Sequence, residues 1–272
     1  MNLQDALALY QSQGYDFLYA QAKACQDVVL AKIAASQLSR HVTIKGGIVM
    51  HELSHDLRRA TRDIDFDFIR YSLLDESIRS FIAALDVLDD GMSITITGKI
   101  SDLKHQDYKG KRVLVNISDG ETTIQAKLDI GIHCDLSIEQ EDYCFDLGYS
   151  GEGVDLLANS KEQIFAEKLK SLLKFGPSSY RYKDIYDLAY LSSLVEVDKT
   201  RAANYIKKVI FDNPEMWEND FGAIERRLKN TFTDREFIQA LKRYDANWLD
   251  VSDEEAFSQI LAFIRACSSG AC

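Results

Sequence analysis

Asp63, Asp65 and Asp67 alternate with Ile64, Phe66 and Phe68, and that alternation constrains the fold more than any other feature of the chain. In an extended strand successive side chains point to opposite faces. One face of this segment therefore carries three carboxylates and the other carries three large apolar groups. Carboxylates ~4–6 Å apart repel by roughly a kcal/mol or more each at intermediate dielectric, so something cationic should offset them. A divalent metal with oxygen ligands is the simplest candidate, and two strand carboxylates can bridge two metals and clamp a triphosphate for in-line attack. A third ligand should come from a neighbouring strand. In the run 127–132, Lys127, Asp129 and Gly131 share one face and Leu128, Ile130 and Ile132 the other, so Asp129 is an acid with an apolar back. Asp67 is the weaker metal candidate. The plain alternative is a solvent-exposed sheet face with scattered charges.

The pattern around this strand predicts an α+β chain. Apolar spacing makes the first 38 residues helical. A short strand is expected at 41–45, a glycine turn, a helix at 47–58, a strand at 63–69 and a helix at 73–88. Runs rich in Thr, Val and Ile predict strands at 92–100, 111–118 and 123–132. Gly148, Gly151 and Gly153 read as a junction, and from about Ser160 the pattern is helical to the end. Strands followed by helices imply an α+β domain over 1–155 and a helical domain over 156–272 that completes the active site.

Gly46-Gly47 lies between a strand and a helix, sixteen residues before Asp63. Glycine admits a phosphate close to the backbone, and a helix N-terminus offers free N–H groups. With Lys45-Gly46-Gly47, Arg59 to Phe66, Ala166 to Lys168 and Arg181 to Asp187 in this order, the chain resembles the AbiEii/AbiGii toxin nucleotidyltransferases. The resemblance implies a polymerase-β-like nucleotidyltransferase fold: a mixed sheet with helices, followed by a helical domain. It also implies two divalent ions (Mg²⁺ or Mn²⁺), a nucleoside triphosphate donor and a cognate antitoxin. The expected metal ligands are Asp63, Asp65 and Asp129. Gly46, Gly47, Lys168, Arg181 and Lys183 are expected at the nucleotide, and Asp184 is expected to orient Lys183 or the acceptor hydroxyl. Many nucleotidyltransferases have Gly-Ser at the turn. Here Gly47 takes the serine's place, so backbone N–H groups would have to supply the phosphate contact.

Lys168 falls beside an apolar stripe of Ile164, Phe165, Leu169, Leu172 and Leu173, where a lysine is commonly solvated; the resemblance makes it a β/γ-phosphate ligand. Lys183 and Asp187 are an i,i+4 pair, which alone reads as an exposed helix ion pair. Asp187 is expected to hold a neighbouring helix or arginine. Arg59 either braces the acidic strand or reaches phosphate.

His51-Glu52-Leu53-Ser54-His55 matches the H-E-x-x-H zinc signature. Helical spacing places Val49, Leu53 and Leu57 on the apolar face and both histidines opposite, which reads as two exposed histidines. No third-ligand pattern follows, so a zinc hydrolase ranks below a catalytically silent nucleotide-binding protein of the same fold. The three acids themselves argue against the silent protein, since unrelieved repulsion would serve no purpose there.

The net charge is −11. Residues 1–155 hold 15 basic and 25 acidic residues, and 156–272 hold 17 and 18. An acidic total disfavours a general nucleic-acid binder, yet 161–183 carries six basic residues against two acidic. With Lys199, Arg201, Lys207, Lys208, Arg226, Arg227, Lys229, Lys242 and Arg243 these cations would suit an RNA acceptor, expected to be a tRNA 3′ end. Five cysteines without a CxxC predict reduced thiols and a cytoplasmic protein. No signal peptide or membrane span is expected.

Overall fold

The computed structural model describes residues 2–87, 90–103 and 110–269. Two compact units divide the chain, Met1–Asn159 and Ser160–Cys272.

The first unit opens with α1 (Leu3–Ser12) and α2 (Phe17–Ala35), capped by Asn2 and Asp16 side chains that accept from Asp5 N and Tyr19 N. There follow β1 (Val42–Ile44), α3 (Gly46–Ser54), β2 (Ile64–Phe68) and α4 (Asp75–Asp86). Strands β3 (Ser93–Asp102), β4 (Lys111–Ser118), β5 (Thr123–Ile132), β6 (Glu141–Leu147) and β7 (Glu152–Ala158) complete it. Among the described residues these seven strands form one mixed sheet in the order β3-β4-β5-β2-β1-β7-β6. The pairs β2–β5 and β1–β7 are parallel and the others antiparallel.

The sheet sorts its two faces as the alternation at 63–68 demands. Ile64, Phe66, Phe68, Leu128, Ile130, Val113, Val115 and Ile117 are buried. Phe81 of α4 meets Phe66 and Phe68 at ring-centroid distances of 5.7 and 5.0 Å. Truncating such a ring to alanine costs about 3–5 kcal/mol, so the register of β2 is locked and its acids face the other way. The glycines expected at a junction lie elsewhere: Gly148 and Gly151 turn the β6–β7 hairpin and Gly153 sits within β7. Sequence reading missed that hairpin.

The second unit is helical. It comprises α5 (Lys161–Phe175), α6 (Tyr182–Ser193), α7 (Lys199–Ile206), α8 (Phe221–Thr233), α9 (Arg235–Arg243) and α10 (Asp253–Ser269). Aspartates cap several starts: Asp198, Asp220 and Asp234 each accept first-turn N–H groups, the usual N-cap chemistry. Phe165 packs on Phe263, and Phe232 stacks on Phe257. Among the described residues no helix is long and apolar enough to cross a membrane.

Candidate active site

Register brings the acids together. Asp65 and Asp129 are direct partners on the parallel strands β2 and β5, and Asp129 is in turn opposite Arg112 on β4. Asp63 lies just before β2 and reaches Lys127 of β5 (2.5 Å). Asp67 is buried and held by Lys45 Nζ (2.5 Å). Lys45 N also donates to Asp65 O (3.1 Å), which sets the start of α3 beside the acidic strand. At Gly46, with φ +65, a Cβ would lie 2.8 Å from Asp65 Oδ2. Only glycine serves there, both for its backbone angle and for the close approach. The structure thus gathers Asp63, Asp65, Asp129, Gly46 and Gly47 at one face of one unit.

The acids are not left to repel one another. Arg112 donates from both Nε and a terminal nitrogen to the two oxygens of Asp129 (2.7 and 2.6 Å), the bidentate geometry that makes such pairs strong. The bond to Asp129 raises the Arg112 pKa above its usual value, and the fields of Asp63 and Asp65 add to it. Arg112, Lys127 and Lys45 therefore supply much of the offset that sequence reasoning assigned to metal. With the acids offset by these cations, a catalytically silent protein of this fold would carry no unrelieved repulsion either. Alternation in β4 placed Arg112 opposite Val113 and Val115; only the strand register reveals its partner.

The donor set, three carboxylates from neighbouring strands, suits a hard divalent cation. Among the described residues, however, no three His, Cys, Asp or Glu side chains converge on a metal-sized gap. Arg112 occupies both oxygens of Asp129, so a cation at this face would compete with Arg112 for that carboxylate.

In the helical unit a second cluster forms. Lys168 of α5 is buried, not solvated, and its Nζ sits between Asp184 Oδ1 (2.5 Å) and Asp187 Oδ2 (2.8 Å) of α6. Arg181 adds Nε to Asp184 Oδ2 (2.7 Å) and a bond to Ser171 Oγ (3.3 Å). Asp187 is fully buried and accepts from Trp248 Nε1 (3.0 Å). So Asp187 ties α5 and the segment before α10 to α6. It is no exposed i,i+4 partner. Lys183 is half-buried on the first turn of α6. Arg227 turns inward to donate to Leu173 O (3.3 Å), and Lys229 pairs with Glu225 (2.8 Å). Arg226, Lys242 and Arg243 are exposed.

The H-E-x-x-H segment does not present a zinc site. Helix α3 ends at Ser54, and His55 follows in a left-handed conformation. His51 is buried against Tyr15, whose hydroxyl lies 2.7 Å from Nε2. Glu52 pairs with Lys23 (3.2 Å), and Lys23 also holds Asp27 (3.0 Å). Burial pushes the His51 pKa down to about 4, with Lys23 adding to it. The expectation of two exposed histidines is thus corrected: Tyr15, from the α1–α2 connection, covers one of them. Arg59 is likewise buried and its charge acts on His51.

An acid-bearing mixed sheet with a glycine-started helix pressed against it places the chain among the nucleotidyltransferases. It belongs to the AbiEii family in particular. The family model described as nucleotidyl transferase AbiEii toxin, type IV toxin–antitoxin system, matches residues 28–262. Two solved structures are similar. JHP933 from Helicobacter pylori is 15% identical with a TM-score of 0.49, over 95% of each chain. An antigenic nucleotidyltransferase-like protein from Paracoccidioides brasiliensis is 18% identical with a TM-score of 0.46, over 82% of this chain and 92% of that one. No curated protein matches the sequence.

Proposed function

We propose that this chain moves a nucleoside monophosphate from a nucleoside triphosphate to an acceptor hydroxyl and releases pyrophosphate. The observation that carries the reading is the pairing of Asp65 with Asp129 on adjacent parallel strands, with Gly46 against Asp65. Asp63, Asp65 and Asp129 are the residues that would hold two Mg²⁺ or Mn²⁺ ions. When bound, such ions neutralise triphosphate charge and make the acceptor hydroxyl easier to deprotonate.

The chain's own groups do the rest. Gly46 and Gly47 N–H groups cradle phosphate oxygens. Arg112 gives up one oxygen of Asp129, which then accepts the acceptor's proton. The acceptor oxygen bonds to the α-phosphorus as the bond to the β-phosphate oxygen breaks. Arg181 and Lys183 neutralise phosphate charge on the leaving side, while Lys168, sealed between Asp184 and Asp187, keeps α6 in place and Asp184 holds Arg181. The bidentate hold of Arg112 makes release of Asp129 a distinct step in the cycle.

The acceptor in this reading is RNA, a tRNA 3′ end, and the protein is the toxin of a pair with a cognate antitoxin. Family membership and the exposed cations Arg226, Lys242 and Arg243 support it. The test is to incubate the protein with each radiolabelled triphosphate, total cellular RNA and protein, and to ask which fraction takes label. Label in small RNA that falls steeply with salt, as counterion release requires, supports the proposal. Reversing Arg226, Lys242 and Arg243 to glutamate should then reduce RNA labelling and leave triphosphate binding intact. Label confined to protein would reject the RNA acceptor, and no label in any fraction would reject transfer itself.

A further inference from the structure

We infer that Tyr180 and Tyr244 form a stacking platform for unpaired nucleotides of the RNA acceptor. The inference rests on the RNA reading above and lies wholly within the helical unit. Tyr180 is 66% exposed and Tyr244 is 62% exposed, so neither ring serves the core. Both are nonetheless backed by another ring. Tyr244 lies 4.8 Å from buried Tyr182, with the planes tilted by only 30°. Tyr180 lies 6.3 Å from Phe175, with the planes tilted by 32°. Tyr182 opens α6 and is itself 5.9 Å from Phe237 of α9. Tyr180 is two residues before Tyr182 and Tyr244 packs on it, so the two open rings gather at the start of α6. Their separations are those of offset aromatic stacks, which a base can extend by one layer.

Charge decides what such rings would take. From Lys168 to Lys183 the chain has five cations and no acid. Lys242 and Arg243 precede Tyr244 and are exposed. Asp245 follows it, also exposed, and the two cations outweigh it. Trp217 makes the opposite case. It is 94% exposed, but the loop 212–220 carries Asp212, Glu215, Glu218 and Asp220 and no lysine or arginine. A polyanion is repelled there and attracted to the tyrosines. Cations that hold the backbone, with rings that take the bases, define a single-strand surface. Duplex RNA hides its base faces within its own stack, so the platform selects unpaired nucleotides. The segment bearing Tyr180 is also set in advance. Buried Ser179 donates its N–H to Gly176 O (3.0 Å), and its Oγ accepts from Arg181 N (3.3 Å). Little ordering cost is left for binding.

The test measures binding of a fluorescent single-stranded RNA of about twelve nucleotides and of a blunt RNA hairpin, over a range of salt, with thermal unfolding of each variant. Tyr180→Leu and Tyr244→Leu keep an apolar side chain and remove the ring. Each should weaken single-strand binding about fivefold or more, the scale of one base stack. Tyr180→Phe and Tyr244→Phe should stay within about threefold on the same scale. The leucine variants should keep the native salt slope, because they remove no charge. Lys242→Gln with Arg243→Gln should flatten that slope. The native protein should bind the hairpin more weakly than the single strand. Should Tyr244→Leu lose structure, Tyr180→Leu, at the more open ring, decides. Leucine variants that bind like the native protein, or a hairpin bound as tightly as the single strand, overturn the platform and leave the RNA acceptor standing. An unchanged slope in the glutamine variant overturns the cationic flank on which the platform depends. A native protein that binds neither RNA at any salt overturns both readings.

Discussion

The sheet unit and the helical unit handle buried charge in opposite ways. On the sheet, Asp63 and Lys127 are both about a third exposed, at 39% and 34%, and Arg112 is 38% exposed over a buried Asp129. Water reaches one member of each pair, so these bonds can be exchanged for a ligand. In the helical unit, Lys168, Asp184 and Asp187 are 7%, 9% and 0% exposed. That cluster is sealed, and only Arg181 at its edge is open. The contrast separates ion pairs that water reaches from carboxylates that hold helices. It also sorts Asp67, closed off with Lys45, from its strand neighbours Asp63 and Asp65.

The largest effect should come from the sealed side. Lys168→Met leaves Asp184 and Asp187 buried with their central cation gone, and breaking a buried pair costs about 3–5 kcal/mol. Denaturant unfolding should show that loss. A loss under about 1 kcal/mol would mean that the cluster is wetter than its burial implies.

Arg112→Met comes next, with an expected loss of about 2–3 kcal/mol in metal-free buffer, because Asp129 keeps its burial and loses its partner. Mg²⁺ should raise the melting temperature of this variant more than that of the native protein, since a bound ion stabilises the folded state by mass action. An equal or smaller rise would break the claim that Arg112 and metal compete for Asp129.

A third test lies in the buried cluster behind α3. Burial raises the Asp27 pKa from 3.8 to about 6, against the pull of Lys23. Its contribution to stability is thus full below about pH 4 and is lost as pH rises through about 6. The His51 pKa falls from 6.5 to about 4 through burial. Its contribution is present above about pH 6.5 and lost as pH falls through about 4. The two slopes oppose each other between pH 4 and 6. Relative to the native protein, Asp27→Asn should make stability rise with pH across that window, and His51→Gln should make it fall, each by up to about 1.4 kcal/mol per pH unit. Parallel pH profiles for all three proteins would contradict the assignment.

Lys127→Met should cost the least, under about 1 kcal/mol, as half-exposed ion pairs do. A loss as large as that of Lys168→Met would erase the difference between the two units.

Much of this organisation was legible in the sequence. The alternation at 63–68 announced a strand with an acidic face, and the stripe through Ile164, Leu169 and Leu173 announced α5. Both signals are local and periodic. The missing parts depend on contacts across the chain. His51 is buried because Tyr15, 36 residues away, covers it, and a helical wheel cannot show that. Lys168 is buried because α6 turns two aspartates toward it. The β6–β7 hairpin escaped because Gly148, Gly151 and Gly153 read as a break, whereas the chain uses them to turn back. The cations facing Asp63 and Asp129 were visible as residues, but their pairing is a matter of register.

The most direct test of the central claim is nucleotidyl transfer by Asp65→Asn set beside the native protein, with folding verified by thermal unfolding. Asp65 lies at the register pair with Asp129 and against Gly46, so the variant should keep its melting temperature and lose label transfer by about 10³-fold or more, roughly 4 kcal/mol or more of transition-state stabilisation. A folded Asp65→Asn protein that transfers label at the native rate would contradict the account.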